Sequence, residues 1–161
     1  MISVHAPDQF QHVCARLASA GLIRLVSEID DHGAIPPRAL ARTLTDLAPH
    51  HIRQAVEQAE SLGLLDRSHS GLGLTTAGKD LADFYDHAAR WARQHNYPAR
   101  TCDFTSRIRR TLALLDQPAV REPRLQDGDA AAELRHVHRL LAEWADTHQL
   151  TPVPNSYGVA A

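Results

Sequence analysis

Lysine is almost missing from this chain of 161 residues: Lys79 is the only one, and arginine supplies every other positive side chain. Cysteine is nearly as scarce. Cys14 and Cys102 stand far apart without metal-like spacing, so no disulfide framework is expected and both read as free, buried thiols. No apolar run approaches the ~20 residues needed to cross a bilayer, and the start, Met1-Ile2-Ser3-Val4-His5, lacks the basic-then-apolar layout of a secretion signal. The expectation is a cytoplasmic protein with no membrane partner. A phosphate-cradling glycine loop, a Gly-x-Ser-x-Gly elbow, and Cys/His or paired-carboxylate groupings are also missing, so no enzymatic activity is expected. Positive charge is not in surplus either, with 17 Lys+Arg against 19 Asp+Glu and a formal net charge of -2. Proteins that neutralise phosphates are usually basic overall or carry a basic patch, so any nucleic-acid surface here has to be local.

Histidine, by contrast, is plentiful, with 11 in the chain. His50-His51 and His136-Val137-His138 are the obvious metal candidates. Helical ligands share a face when three or four residues apart, whereas neighbours diverge, and no Cys or acidic partner completes a zinc-like set. Neither a metal nor a cofactor is expected.

Apolar spacing organises the rest. Residues 8–32 read as one or two helices, with Phe10, Val13, Cys14, Leu17, Leu22, Leu25, Val26 and Ile29 three or four apart and Gly33 as the stop. Pro36-Pro37 can open a helix through Leu44, since proline's missing N–H costs nothing in a first turn. Pro49 starts another, with Ile52, Val56, Ala59 and Leu62 inward and Gly63 ending it. Leu64–Ser68 and Leu72–Leu74, joined by His69-Ser70-Gly71, read as a short hairpin. Thr75 or Thr76 then caps a long helix to about His95, closed by Asn96-Tyr97-Pro98. A helix over about 103–115, a broken linker over 116–128 and a last helix over about 129–149 follow. Four units result: an N-terminal extension (1–19), a core (20–79), a helical C-terminal region for dimerisation or sensing (80–150) and a disordered tail (151–161).

The two long C-terminal helices carry matching seams. Ala77, Leu81, Phe84, Ala88, Trp91 and His95 alternate four- and three-residue steps, and Leu134, Val137, Leu141, Trp144 and His148 do the same. Leu81, Phe84, Ala88, Trp91, Leu134, Val137, Leu141 and Trp144 are therefore expected at a homodimer interface. Shared packing grammar accounts for the similarity more simply than duplication.

Helix, short turn, helix, glycine stop and hairpin follow one another from Ile35-Pro36-Pro37-Arg38 through Ser61-Leu62-Gly63-Leu64-Leu65-Asp66-Arg67. That order resembles the winged helix-turn-helix superfamily. Leu74-Thr75-Thr76-Ala77-Gly78-Lys79 before a long aromatic-containing helix is most similar to its HxlR and MarR regulator groups, over about residues 20–95. The implied fold is mainly α, a winged helix-turn-helix (three-helix core plus short β-hairpin wing) with additional N- and C-terminal helices. The implied function is a dimeric, sequence-specific transcriptional regulator whose partner is double-stranded DNA. Its second motif helix, about residues 49–62, would enter the major groove, and the wing would approach the neighbouring backbone.

That resemblance assigns roles to the polar residues. His50, His51, Arg53 and Gln54 are the base-reading candidates, since arginine pairs bidentately with guanine and glutamine with adenine. Gln58 lies on the same outer surface. Arg38 and Arg42 on the preceding helix, with Arg67, His69 and Ser70 at the wing, are the phosphate candidates. Two features depart from the family: the wing is shorter than usual, and Ala48-Pro49 replaces the Ser or Thr cap often seen before the reading helix. Arg100, Arg107, Arg109, Arg110, Arg121 and Arg124 form a locally basic stretch that either extends the phosphate surface or pairs with the acidic last helix, an intramolecular or dimer-contact role being preferred. The alternative function is a winged-helix adaptor that binds protein and not DNA. A small-molecule effector between the C-terminal helices is left open.

Overall fold

Ser19 decides where the first long helical stretch breaks. Its backbone is extended and its hydroxyl accepts the Leu22 N–H at 3.4 Å, so it ends one helix and caps the next. In this computed structural model, which describes residues 7–117 and 128–148, the result is α1 (Pro7–Leu17) and α2 (Ala20–His32). Gly33 stops α2 at a φ of 81°. A 3-10 turn (Pro37–Ala39) and a short α3 (Leu40–Thr43) follow, then α4 (Pro49–Ser61), β1 (Leu65–Ser68), β2 (Gly71–Leu74), α5 (Thr76–Gln94), α6 (Phe104–Leu115) and α7 (Gly128–Thr147). The chain is mainly helical with one small antiparallel sheet. The expected tail at 151–161, Arg121, Glu122 and Arg124 lie outside the described residues.

The segment after Pro36 differs from its expected single helix. The Ala39 N–H reaches back only three residues, to the Pro36 carbonyl at 2.8 Å, which winds the first turn as 3-10 before Leu40 starts a true α-turn. The hairpin runs as expected, pairing Leu65 with Leu74 and Ser68 with Gly71. Ile35 adds an isolated bridge to Leu72, donating to and accepting from it at 3.0 and 2.8 Å. This brings the Ile35 backbone so close to Gly71 (φ 119°) that a Cβ there would collide with it.

Central to the packing is α2. Leu22, Ile23, Leu25, Val26 and Ile29 are buried, and the helix touches α4, α5, α6 and β2. One continuous apolar cluster runs from Phe10 to Ala145, so side chains of the three expected units 1–19, 20–79 and 80–150 share a core. Tyr85 on α5 reaches across it to donate to the Leu17 carbonyl at the end of α1, 2.7 Å away, and full burial pushes its hydroxyl far above the usual phenol range.

Helices α5 and α7 run side by side with reciprocal end contacts. Trp91 donates its indole N–H to the Ala130 carbonyl at 3.1 Å, and Trp144 donates to Ala77 at 3.0 Å. His95 meets Glu133 at 2.9 Å, and His148 meets Asp80 at 3.2 Å. Each helix thus grips the other's first two turns with a Trp and a His from its own far end, and this gives the sequence similarity a structural expression. It also corrects the expected use of the seam: Leu81, Phe84, Ala88, Trp91, Leu134, Val137, Leu141 and Trp144 are all buried within one chain.

Candidate nucleic-acid interface

Two opposite demands shape α4. Ile52, Ala55 and Ala59 are buried against α2, α3 and the start of β1, with Leu62 just beyond the helix end. Ala55 is small for a reason: a Cβ on Gly21 of α2 would stand 3.3 Å from the Ala55 Cβ and 3.5 Å from the His51 carbonyl, so the two backbones approach closely. The opposite flank carries His50, His51, Arg53, Gln54, Glu57 and Glu60, every one exposed. Among the described residues, these six side chains stay exposed beside the elements of the C-terminal half. The rings of His50 and His51 sit 4.0 Å apart at the leading end. Pro49 opens the helix after Ala48, which is extended and offers no side-chain cap.

The remaining candidates divide. Arg38, in the 3-10 turn, and Arg42, in α3, are exposed beside the start of α4. His69 and Ser70 are exposed at the hairpin tip, where the Ser68 hydroxyl accepts the Ser70 N–H at 3.3 Å and closes the turn. Arg67 is exposed but committed, its guanidinium donating to Glu60 with the Nε contact at 2.7 Å. That pair tethers β1 to α4 and withdraws one positive charge from the wing side.

Gln58 corrects its expected outward placement. It is half-buried and donates to the Arg16 carbonyl at 2.6 Å, holding the α1–α2 turn onto α4. Its spacing from Ala55 was the available signal, because residues three apart share a helix face. Glu57, in the middle of the exposed flank, was not among the expected residues, although it lies four residues after Arg53 on the same surface. Two acids on this flank make the face mixed in sign.

Position is held from below by an ion pair. Arg24 on α2 forks onto Asp46 in the turn before α4, at 2.9 and 3.0 Å, and also reaches Glu28. The Arg24 hydrogen bond holds the Asp46 carboxyl below the ordinary carboxylate range.

The arginines at 100–110 serve different ends. Arg107 is buried and donates to the carbonyls of Ala92, Tyr97 and Arg100 at 3.1, 2.8 and 3.3 Å, capping the end of α5. Arg109 and Arg110 are exposed on α6 and form no ion pair among the described residues, so the expected pairing with the last helix within one chain does not occur for them. Cys14 is buried as expected, whereas Cys102 is half-exposed ahead of α6. Two clefts of about 240 and 370 Å³ flank the α5–α7 pair and share His87.

Among the described residues no cluster of His, Cys, Asp and Glu is placed to hold a metal ion, and no helix is long and apolar enough to cross a membrane. No protein-family profile, curated protein or solved structure matches the chain.

Proposed function

We propose that the chain is a winged helix-turn-helix transcriptional regulator that binds double-stranded DNA and reads the major groove with α4. The observation that carries this reading is the uncovered flank of α4, where His50, His51, Arg53 and Gln54 stand exposed while the opposite face is locked onto α2 and α3. The order α2, Ile35, α3, α4, β1, β2 supports it, because in that plan the hairpin is the wing and the bridge at Ile35 its third strand. Arg53 and Gln54 are the base readers, since both can bond two atoms of one base edge. Arg38, Arg42 and His69 approach phosphates. Arg67 serves mainly to fix the wing through Glu60.

A homodimer belongs to this reading, because two-fold symmetry places two reading helices on a pseudo-palindromic site. The partner face has to be other than the buried seam. Any effector sensed between the C-terminal helices has its room in the two clefts beside α5 and α7. A protein-binding adaptor is favoured by one observation: Glu57 and Glu60 put negative charge on the same flank as Arg53. Selection of genomic fragments with the purified chain separates the two. Enrichment of a defined sequence supports the regulator, whereas no enrichment, with a stable protein partner in a pull-down, supports the adaptor.

A further inference from the structure

We propose that Arg109 and Arg110, on the exposed flank of α6, form a second phosphate-binding ledge for the backbone of the duplex that α4 reads. The inference rests on the duplex-binding reading and extends it to a part of the chain beyond the helix-turn-helix segment. A cleft of about 410 Å³ lies there, lined by Ala18, Ser106, Arg109, Arg110 and Ala113, with two cationic side chains and no carboxylate in its wall. The acid nearest the start of α6, Asp103, is already spent: its oxygens accept the Ser106 N–H at 2.9 Å and the Ser106 hydroxyl at 2.7 Å. Three other arginines of the fold are consumed internally, Arg24 by Asp46, Arg67 by Glu60 and Arg107 by backbone carbonyls. Neither Arg109 nor Arg110 forms an ion pair among the described residues.

Placement joins this cleft to α4. The α1–α2 turn is held on one side by Gln58 of α4, which donates to Arg16, and on the other by Arg109 of α6, which donates its Nε–H to Ala18 at 3.1 Å. That single turn of chain separates the reading helix from the arginines. Packed helices sit about 8–10 Å apart, and the major groove is about 12 Å wide. For the ledge to serve the duplex that α4 reads, a strand bordering the groove has to run past this turn, within reach of arginine side chains. Anchoring the Arg109 Nε to a carbonyl also fixes the guanidinium plane and leaves its four terminal N–H groups for a phosphate, a geometry arginine suits better than lysine.

The test is the salt dependence of binding to a mixed-sequence duplex several turns long, followed by fluorescence anisotropy across a potassium chloride series. Each phosphate neutralised contributes about 0.9 to the slope of log K against log salt. The double variant Arg109→Ala with Arg110→Ala is expected to flatten the slope by about 1.8 and to weaken a selected sequence and the mixed duplex by the same factor. Arg109→Lys with Arg110→Lys, which keeps the charge, should retain a slope near wild type, and Arg139→Ala on α7 should leave it unchanged. A double-alanine slope equal to wild type, or a lysine variant that loses as much as the alanine one, overturns the ledge while leaving α4 as the reader. Wild-type protein that binds no duplex at all overturns both.

Discussion

At the scale of single residues, the sharpest departure from expectation is Arg107. Composition suggested a solvated or paired arginine, yet its guanidinium is buried and satisfied by three main-chain carbonyls at the end of α5. Periodicity marks position 107 as inward, one residue before Ile108, but the local basic run overshadowed that signal. Replacing it by alanine removes three charge-assisted bonds and leaves carbonyls unsatisfied. Arg107→Ala is therefore expected to cost on the order of 3 kcal/mol in urea denaturation, and a loss below about 1 kcal/mol would contradict the capping role. Burial and charge repulsion combine at Asp86. Partial burial, then the neighbouring Asp30, Asp31 and Asp83, hold its carboxyl above the ordinary value, with Arg90 opposing. Because the folded group keeps its proton to higher pH than the unfolded one, its stabilising contribution is present below the usual carboxylate range and lost as pH rises through the raised value. Asp86→Asn should raise the melting temperature at neutral pH, and the gain should vanish in acid. A gain independent of pH would point to another cause.

Among elements, the long amphipathic ones were legible because period and punctuation agree. Pro49 and Gly63 bracket α4, the Thr75 hydroxyl accepts the Gly78 N–H at 3.2 Å, and Asp103 caps α6. The segment after Pro36 was less so, because proline permits a 3-10 turn as readily as an α-turn and only the Ile35–Leu72 bridge decides how the chain enters it. Gly78 hid a packing demand that spacing does not encode: a Cβ there would collide with the Leu64 carbonyl, so α5 lies directly on the chain leading into β1. The start of α4 carries a defect that can be repaired. Ala48 has the extended backbone of a cap and no acceptor. Ala48→Ser should stabilise the protein by about 0.5–1 kcal/mol, read from denaturant midpoints. No change would mean that the first amides of α4 are already satisfied by solvent.

For the whole molecule, the slight acidic excess conceals a division of charge. Asp30, Asp31, Asp83 and Asp86 gather where the end of α2 meets α5, and burial, with the repulsion among them second, raises the carboxyls of Asp30 and Asp86. Arg38, Arg42, Arg53, Arg109 and Arg110 stand exposed on or beside α3, α4 and α6. Only the packing order separates the two sets, since in sequence they interleave. The same holds for the α5–α7 pair: its matching seams were readable, but whether they close within one chain or between two depends on the length of chain between the helices and on how they meet α1 and α2. Phe10 of α1 stacking on His138 of α7 at 4.2 Å is one such contact.

The central claim is that the exposed flank of α4 distinguishes one DNA sequence from another. The most direct measurement is the ratio of affinities for a selected fragment and for a scrambled duplex of equal length, in wild type and in Arg53→Ala with Gln54→Ala, at one fixed salt concentration. The expected result is a ratio that falls by at least tenfold in the double variant, since one bidentate base contact is worth about 1–3 kcal/mol of discrimination, while affinity for the scrambled duplex changes little. An unchanged ratio, or equal losses on both duplexes, would contradict α4 as the reading element.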